Sequence, residues 1–167
     1  MTYNIEKLNL VQKSSSPSTQ TLTTSYQEIN GSKGQLSFSK ESASFLYKFS
    51  FFSSTLIVGG GKGGNIYHDP YMHIKLQKSN DNFVSNIIDV PNCNINVSGD
   101  TTFSTDRSWK VNKVMFIVEN ISSNITHLRL VTRSYSSGYN NTLHTEGIFD
   151  GVSVNVFYEP VLTISEI

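Results

Sequence analysis

The stretch that decides the fold is Ser44-Phe45-Leu46-Tyr47-Lys48-Phe49-Ser50-Phe51-Phe52, in which an aromatic ring falls on every second position. Successive side chains of a β-strand point to opposite faces, so this period of two predicts a strand. One face then carries four rings, those of Phe45, Tyr47, Phe49 and Phe51. The opposite face is also partly apolar, through Leu46 and Phe52. Either a second layer of the same subunit covers it, or it is a self-association surface, since obligate interfaces are more apolar than ordinary surface.

Composition agrees with β structure. Ser, Thr and Asn make up about a third of the 167 residues, well above ordinary usage. These side chains compete for the backbone in helix interiors, and the best helix former, alanine, occurs once, at Ala43. A chain of this length suits a single domain with a core of its own. The single cysteine, Cys93, excludes an intramolecular disulfide.

Other segments repeat the alternation. Pro91 is predicted to end the strand that starts at Phe83, and the apolar run Val114–Val118 predicts a strand buried on both faces. About ten short antiparallel strands with turn signals between them predict a β-sandwich or barrel. Besides residues 44–52, the predicted strands are residues 22–29, 35–39, 71–77, 83–90, 94–97, 101–103, 109–119, 125–135, 152–158 and 161–164.

The N-terminal region differs from the rest. Residues 14–19 form a Ser/Thr-rich, low-complexity stretch that is typical of a linker. We therefore predict a tail and linker over residues 1–20 and a head domain over residues 21–167. Within the tail, residues 1–13 form either a short strand or an anchoring peptide.

Charge and hydropathy exclude two classes of partner. The formal net charge is zero and no run of Lys and Arg occurs, so we expect no nucleic-acid partner. The longest apolar stretch, Val114–Val118, is far shorter than the roughly 20 residues of a membrane helix, so we expect no membrane insertion. Residues 1–13 also lack the apolar centre of an export signal.

Candidate catalytic and metal motifs are weak. The segment Gly59–Gly64 resembles a phosphate loop, but Lys62 is followed by Gly63 instead of Ser or Thr, which favours a flexible hairpin loop. His68, Asp69 and His73 lack further ligands at a spacing that would close a metal site. No nucleophile elbow and no facing carboxylate pair is visible. We therefore predict no catalytic, cofactor-binding or metal residues, no cofactor and no enzymatic activity.

One segment is typical of a ligand-contact loop. Residues 133–141 are rich in Tyr, Ser, Gly and Asn, which give contact area and adaptable hydrogen bonds at low entropic cost. The alternative is an ordinary polar loop with partly buried tyrosines. The predicted ligand-contact residues are Arg133, Tyr135, Tyr139, Asn140 and His144.

Several segments together resemble the trimeric heads of the tumour-necrosis-factor and complement globular-head superfamily, in the form encoded by large DNA viruses and marine phages. Ser25–Ser32 resembles the opening strand of such heads and Leu128–Tyr135 a late strand. Leu143-His144 with Phe149-Asp150-Gly151, and the ending Pro160–Ile167, resemble their last segments. Many cellular members carry Phe-Trp/Tyr-Gly where this chain has Phe149-Asp150-Gly151, which argues against a cytokine role.

The resemblance implies a jelly-roll sandwich of about ten strands that forms a tight homotrimer without catalysis. Aromatic residues would then line the core or the contacts between subunits; the candidates are Phe45, Tyr47, Phe49, Phe51 and Tyr158. The tail over residues 1–20 would connect the head to other virion proteins.

Three functions are kept as hypotheses. The first is a virion structural protein: a trimeric head on the capsid or fibre surface, with a minor capsid or host-attachment role, assembled in the host cytoplasm. The alternative is a carbohydrate-binding module, secreted or virion-borne, that contacts a host glycan or receptor through the loop Tyr135–Asn141 together with His144. The third is a metal-dependent enzyme on a jelly-roll scaffold, which is supported only by His68 and His73.

Overall fold

The protein is described by a computed structural model, which covers residues 9–13, 20–57, 70–98, 107–135, 137–144, 146–149, 152–157 and 160–167. All regular elements among these residues are strands. They are β1 (Asn9–Lys13), β2 (Gln20–Thr21), β3 (Gln27–Glu28), β4 (Gly34–Gln35), β5 (Ser42–Ile57), β6 (Pro70–Ser79), β7 (Ile88–Ser98), β8 (Arg107–Ser122), β9 (His127–Ser134), β10 (Tyr139–His144), β11 (Glu146–Phe149), β12 (Val152–Phe157) and β13 (Val161–Glu166).

The strands form two main antiparallel sheets. The six-stranded sheet has the order β1-β13-β5-β10-β2, with β8 along the other edge of β5, and the five-stranded sheet has the order β3-β9-β6-β7, with β4 also on β9. The pairs are nested along the chain: β6 with β7 innermost, then β5 with β8, then β3 and β4 with β9, and β1 with β13 outermost. This wrapped hairpin is the jelly-roll arrangement, and it confirms the predicted all-β sandwich.

The alternation in β5 behaves as predicted. Phe45, Tyr47, Phe49 and Phe51 are at most 1% exposed and lie between the two sheets. The facing layer comes from alternate residues of β6 and β9, namely Met72, Ile74, Leu76, Leu128 and Leu130, which are all fully buried. Removing aromatic and aliphatic side chains from water is the dominant favourable term in folding. The inward residues of β5 and those of β6 and β9 therefore hold the two sheets together, and the outer faces described below are built on this core.

Of the two alternatives for residues 1–13, the structure shows a short strand, because Asn9–Lys13 pairs with Val161–Ser165 of β13. Leu10 packs against the core from this position. Gly34 lies close by, and a Cβ there would stand 2.6 Å from the Ile164 side chain and 3.0 Å from that of Leu10. The division into a tail over 1–20 and a head over 21–167 stays a prediction.

The strand predicted over 83–90 is wrong in its first half. Residues 80–85 form a turn, in which Asn82 and Phe83 have φ of 59° and 64°. The Ser79 hydroxyl accepts hydrogen bonds from the backbone N–H groups of Asp81 and Phe83 at 3.0 and 2.9 Å. Local hydrogen bonds of this kind compete with a strand ladder. The apolar residues of the first half of this range therefore belong to a turn, and the strand begins only at Ile88.

Pro91 does not end a strand, contrary to the prediction, because β7 continues through it to Ser98. The register with β6 jumps there: Gln77 faces Asp89, whereas Lys75 faces Asn94. The intervening residues bulge out of the ladder, with Asn92 at a φ of 60°. In the described sheet β7 is an edge strand, where a missing N–H is tolerated.

The prediction that β8 is buried on both faces is wrong for the single chain. Val114, Phe116 and Val118 point into the core, but Met115 and Ile117 are 64% and 59% exposed on the outer side. Within the described residues, β8 pairs with β5 alone. No layer formed by the described residues covers this outer side.

Candidate functional site

The predicted ligand-contact loop is divided between the two sheets. Arg133 belongs to β9 and Tyr135 follows its end, whereas Tyr139, Asn140 and His144 belong to β10. The connection itself is reduced to residues 135–138. The loop predicted over residues 133–141 is therefore shorter than expected, and its candidate residues belong to two different sheets, whereas their ligand role stays a prediction. Asn140 and Tyr135 are nevertheless exposed.

Four of the five candidate aromatics are core residues in the single chain. Phe49 and Phe51 stack with ring centroids 5.6 Å apart, and Phe45 meets Phe38 edge to face at 5.2 Å. The Tyr47 hydroxyl donates a hydrogen bond to the Ser32 carbonyl oxygen, and burial, the largest influence, raises the pKa of this phenol. Tyr158 lies outside the described residues. These rings are therefore hidden inside one subunit.

Sequence reasoning missed a buried polar cluster around Asn141. The Asn141 amide donates to the Tyr71 carbonyl oxygen at 2.7 Å and to the Ser134 hydroxyl at 2.8 Å, and it accepts from the Thr55 hydroxyl at 2.7 Å. Asn141, Thr55 and Ser134 are each 1% exposed. Because each polar atom finds a partner, the cluster fixes how β10 meets both sheets. Its role is structural.

The outer face of the five-stranded sheet carries a network of charged and amide groups centred on Arg129. This guanidinium pairs with Glu28 at 2.9 Å and donates to the Gln77 side-chain oxygen at 3.1 and 3.0 Å. Gln77 donates to Asp89 at 2.8 Å, and Lys75 pairs with the same carboxylate at 2.6 Å. Burial would raise the pKa of Asp89, but Lys75 and Gln77 together lower it.

Next to this network lies a cation–aromatic cluster, which we define as Tyr26, His73, Lys75 and Arg133. The Tyr26 hydroxyl hydrogen bonds to His73 Nδ1, and the two rings meet edge to face at 5.6 Å. Lys75 Nζ stands 4.1 Å from the centre of the Tyr26 ring and the Arg133 guanidinium 5.4 Å from it. The alternation of β6 and β9 brings these side chains to one surface, because His73 and Arg133 face each other in the register.

The electrostatics of this cluster are positive. The pKa of His73 is lowered, first by partial burial and then by the charges of Arg133 and Lys75, with Asn94 opposing the shift. Lys75 is neutralised by Asp89. Arg133 has no carboxylate partner among the described residues, and its Nε is buried without a hydrogen bond.

A second candidate surface is the outer face of the six-stranded sheet. We define the apolar face as Leu46, Phe52, Val111, Met115 and Ile117. The register puts Ile117 opposite Leu46 and Val111 opposite Phe52, so the residues adjoin across β5 and β8. Leu46 and Phe52 are half-buried, and Val111 is 43% exposed.

Of the metal candidates, only His73 lies among the described residues. Among the residues that the structure describes, no group of three or more His, Cys, Asp or Glu side chains is placed to hold an ion. His73 contacts Tyr26 instead, and His68, Asp69 and the Gly59–Gly64 segment lie outside the described residues. The described part of the chain also contains no helix with the length and apolar character needed to span a bilayer.

No family model matches the sequence, and a search of curated proteins finds no significant relative. The site therefore has to be judged from its own geometry. Of the predicted ligand residues, Arg133 alone belongs to the cation–aromatic cluster, and Tyr26, His73 and Lys75 were missed as its partners. The outward positions in β6 and β9 were readable from the alternation, but the order of strands that joins them was not.

Proposed function

We propose that the chain is a non-catalytic jelly-roll head that assembles with two further copies of itself and is displayed on a virion surface. The observation that carries the self-assembly is the apolar face. Met115 and Ile117, at 64% and 59% exposure, lie on the same outer side of β5 and β8 as Leu46, Phe52 and Val111. Apolar residues that gather on one exposed face mark an interaction surface more often than singly scattered ones do.

The occupant we assign to the apolar face is a second copy of the chain. The face lies along β8, a strand of sixteen residues that pairs only with β5 in the described chain. A long edge strand invites pairing or cover by another chain. Lys48 and Lys113 interrupt the face, and their aliphatic stems can lie along a neighbour while their charges reach water.

The three-fold arrangement and the virion come from a different source, the resemblance of Ser25–Ser32, Leu128–Tyr135 and Pro160–Ile167 to virus-encoded heads. The nested strand pairs are compatible with such heads. A fold alone does not determine a function. This part of the proposal therefore needs its own test.

Self-assembly is tested by molar mass in solution at micromolar concentration. We expect three times the mass of the 18.6-kDa chain from light scattering coupled to gel filtration. Replacing Met115→Glu together with Ile117→Glu puts two charges on the apolar face and should weaken association at least about a hundredfold. The circular-dichroism spectrum should stay that of a β protein, since both residues point away from the core.

The matched control is Val84→Glu, which charges an apolar residue that is 82% exposed on the turn of the other sheet. It should leave the mass unchanged. A wild-type monomer at micromolar concentration contradicts the proposal, and so does a double variant that keeps the wild-type mass. The virion part is tested by immunogold labelling of particles made from the genome that encodes the chain, and unlabelled particles contradict it.

A further inference from the structure

Two arginines on the same face of β9 have opposite surroundings. Arg129 has a carboxylate partner at 2.9 Å, two hydrogen bonds to Gln77 and the ring of Phe83 4.1 Å below it. Arg133, four residues further along the same face, contacts the Tyr26 ring at 5.4 Å and leaves its Nε buried and unpaired. An unpaired buried donor is uncommon in folded proteins, and its desolvation is costly.

The charges around Arg133 do not cancel. Lys75 has Asp89 and Arg129 has Glu28, whereas no described carboxylate pairs with Arg133. Among the described charges around the cation–aromatic cluster, one unit of positive charge therefore remains. Because it is one unit and not a run, the surface suits a single anionic group and not a polyanion such as nucleic acid.

We propose that the cation–aromatic cluster binds the carboxylate or sulfate group of an acidic sugar. The planar guanidinium of Arg133 matches the two oxygens of such a group in a fork of parallel hydrogen bonds. His73 and Lys75 add donors on the same surface, since they alternate outward along β6.

The neighbours of Arg133 suit a sugar ring better than a free anion. Tyr26 is 39% exposed, and Tyr135, two residues after Arg133, is 53% exposed. Such rings give an apolar surface for C–H groups together with a hydroxyl for hydrogen bonding. Exposed amides of Asn94 and Asn96 stand across from Lys75 and His73 in the register of β7 and β6. Amides donate to and accept from sugar hydroxyls.

This site goes beyond self-assembly and does not depend on it. The cluster lies on the outer face of the five-stranded sheet, and the apolar face belongs to the other sheet. A monomer would carry the same residues in the same places. A negative result here would therefore leave the assembly proposal standing, and the reverse also holds.

The test is calorimetric titration of the full chain with three probes that share a lactose core: 3′-sialyllactose, 3′-sulfolactose and lactose. We expect at least one acidic probe to bind with a dissociation constant at or below about 1 mM, and lactose to bind at least about tenfold more weakly. The carboxylate and sulfate probes separate the two sources of the anionic group. Sodium sulfate alone serves as the fourth titrant.

Arg133→Gln should weaken the binding of the acidic probe at least about tenfold, because it removes one pair of charge-assisted hydrogen bonds. Lys33→Gln is the charge-matched control, because Lys33 lies near His127 at the other end of β9 and belongs neither to the cation–aromatic cluster nor to the apolar face. The proposal is overturned if no acidic probe binds with a dissociation constant at or below about 1 mM, or if lactose binds less than about tenfold more weakly than the better acidic probe. Equal binding of sodium sulfate, or equal weakening by the two variants, overturns it as well.

A measurement on the wild-type chain covers the case in which Arg133→Gln does not fold. Amide shifts in a nitrogen-15 spectrum are followed during titration with the tighter acidic probe. The shifts should centre on Tyr26, His73 and Arg133, which belong to three neighbouring segments of one sheet. Shifts confined to β10 or to the apolar face would overturn the assignment.

Discussion

The two outer faces of this sandwich are built on one core but have opposite chemistry. The five-stranded sheet presents a network in which Arg129, Gln77 and Asp89 satisfy one another. The six-stranded sheet presents Met115 and Ile117 with more than half of each side chain exposed. The polar face of the five-stranded sheet is well hydrated, whereas the apolar face of the six-stranded sheet would gain free energy by burial against another chain.

The difference teaches where a β-sandwich carries its specificity. Most inner positions of both sheets are apolar, apart from polar groups such as the Asn141 cluster, and these apolar residues determine that the chain folds. Outer positions do not have to fill the core, so their side chains determine which partners the protein binds. A polar outer face with one uncompensated cation and an apolar outer face predict different partners for the two sides.

The largest expected effect comes from the shared core, which both faces need. Phe49→Ala removes a ring that is 1% exposed and stacked on Phe51, and it should lower the free energy of unfolding by about 3–5 kcal/mol. The measurement is urea denaturation followed by fluorescence. Val84→Ala, at 82% exposure, is the control and should cost less than about 0.5 kcal/mol. Equal losses would contradict the two-layer core.

A smaller effect is expected where β10 joins the two sheets. Asn141→Ala leaves the Tyr71 carbonyl oxygen and the hydroxyls of Ser134 and Thr55 without this partner, and should cost about 1–3 kcal/mol. The adjacent Asn140→Ala is the matched control, since Asn140 is exposed on the same strand and its loss should cost less than about 0.5 kcal/mol. If both variants unfold at the same urea concentration, the polar cluster does not hold β10 in place.

The parts of the fold that could be predicted are those governed by local periodicity. Apolar residues alternate strictly with other residues in β5 and β9, and the inward ones are buried: Phe45, Tyr47, Phe49, Phe51, Leu128 and Leu130. Pro91 could not be assigned in this way, because its tolerance depends on β7 being an edge strand with a bulge, which is a property of the assembled sheet.

The candidate site shows the same limit. Arg133 was identified from the composition of its segment, but the partners that give it a function lie on β6 and just before β3, far away in sequence. β10 was missed because one of its two described buried residues is Asn141, whose partners Thr55 and Tyr71 come from distant strands, so that Leu143 alone carries the apolar signal. A pattern of apolar residues cannot report a strand that is fixed by polar contacts.

The smallest expected effect is a loss of stability at low pH, caused by protonation of Asp81 in the turn that joins β6 to β7. Asp81 accepts hydrogen bonds from the Ser85 and Ser79 hydroxyls, both at 2.7 Å, and from the backbone N–H groups of Ser85 and Asn86, both at 2.9 Å. These bonds, those of Ser85 first, hold the pKa of this carboxyl well below its usual range.

Because the folded pKa is lower than the unfolded value of about 3.9, the charged carboxylate stabilises the fold above that pH, and the contribution is lost as the pH falls toward the folded pKa. Asp81→Asn should therefore reduce the drop in urea midpoint between about pH 5 and pH 2. Ser85→Ala should reduce it partly, since it removes one of the donors. A drop for Asp81→Asn as large as that of the wild-type chain would show that this turn does not contribute, and would leave Asp89, whose pKa is also lowered, as the next carboxyl to test.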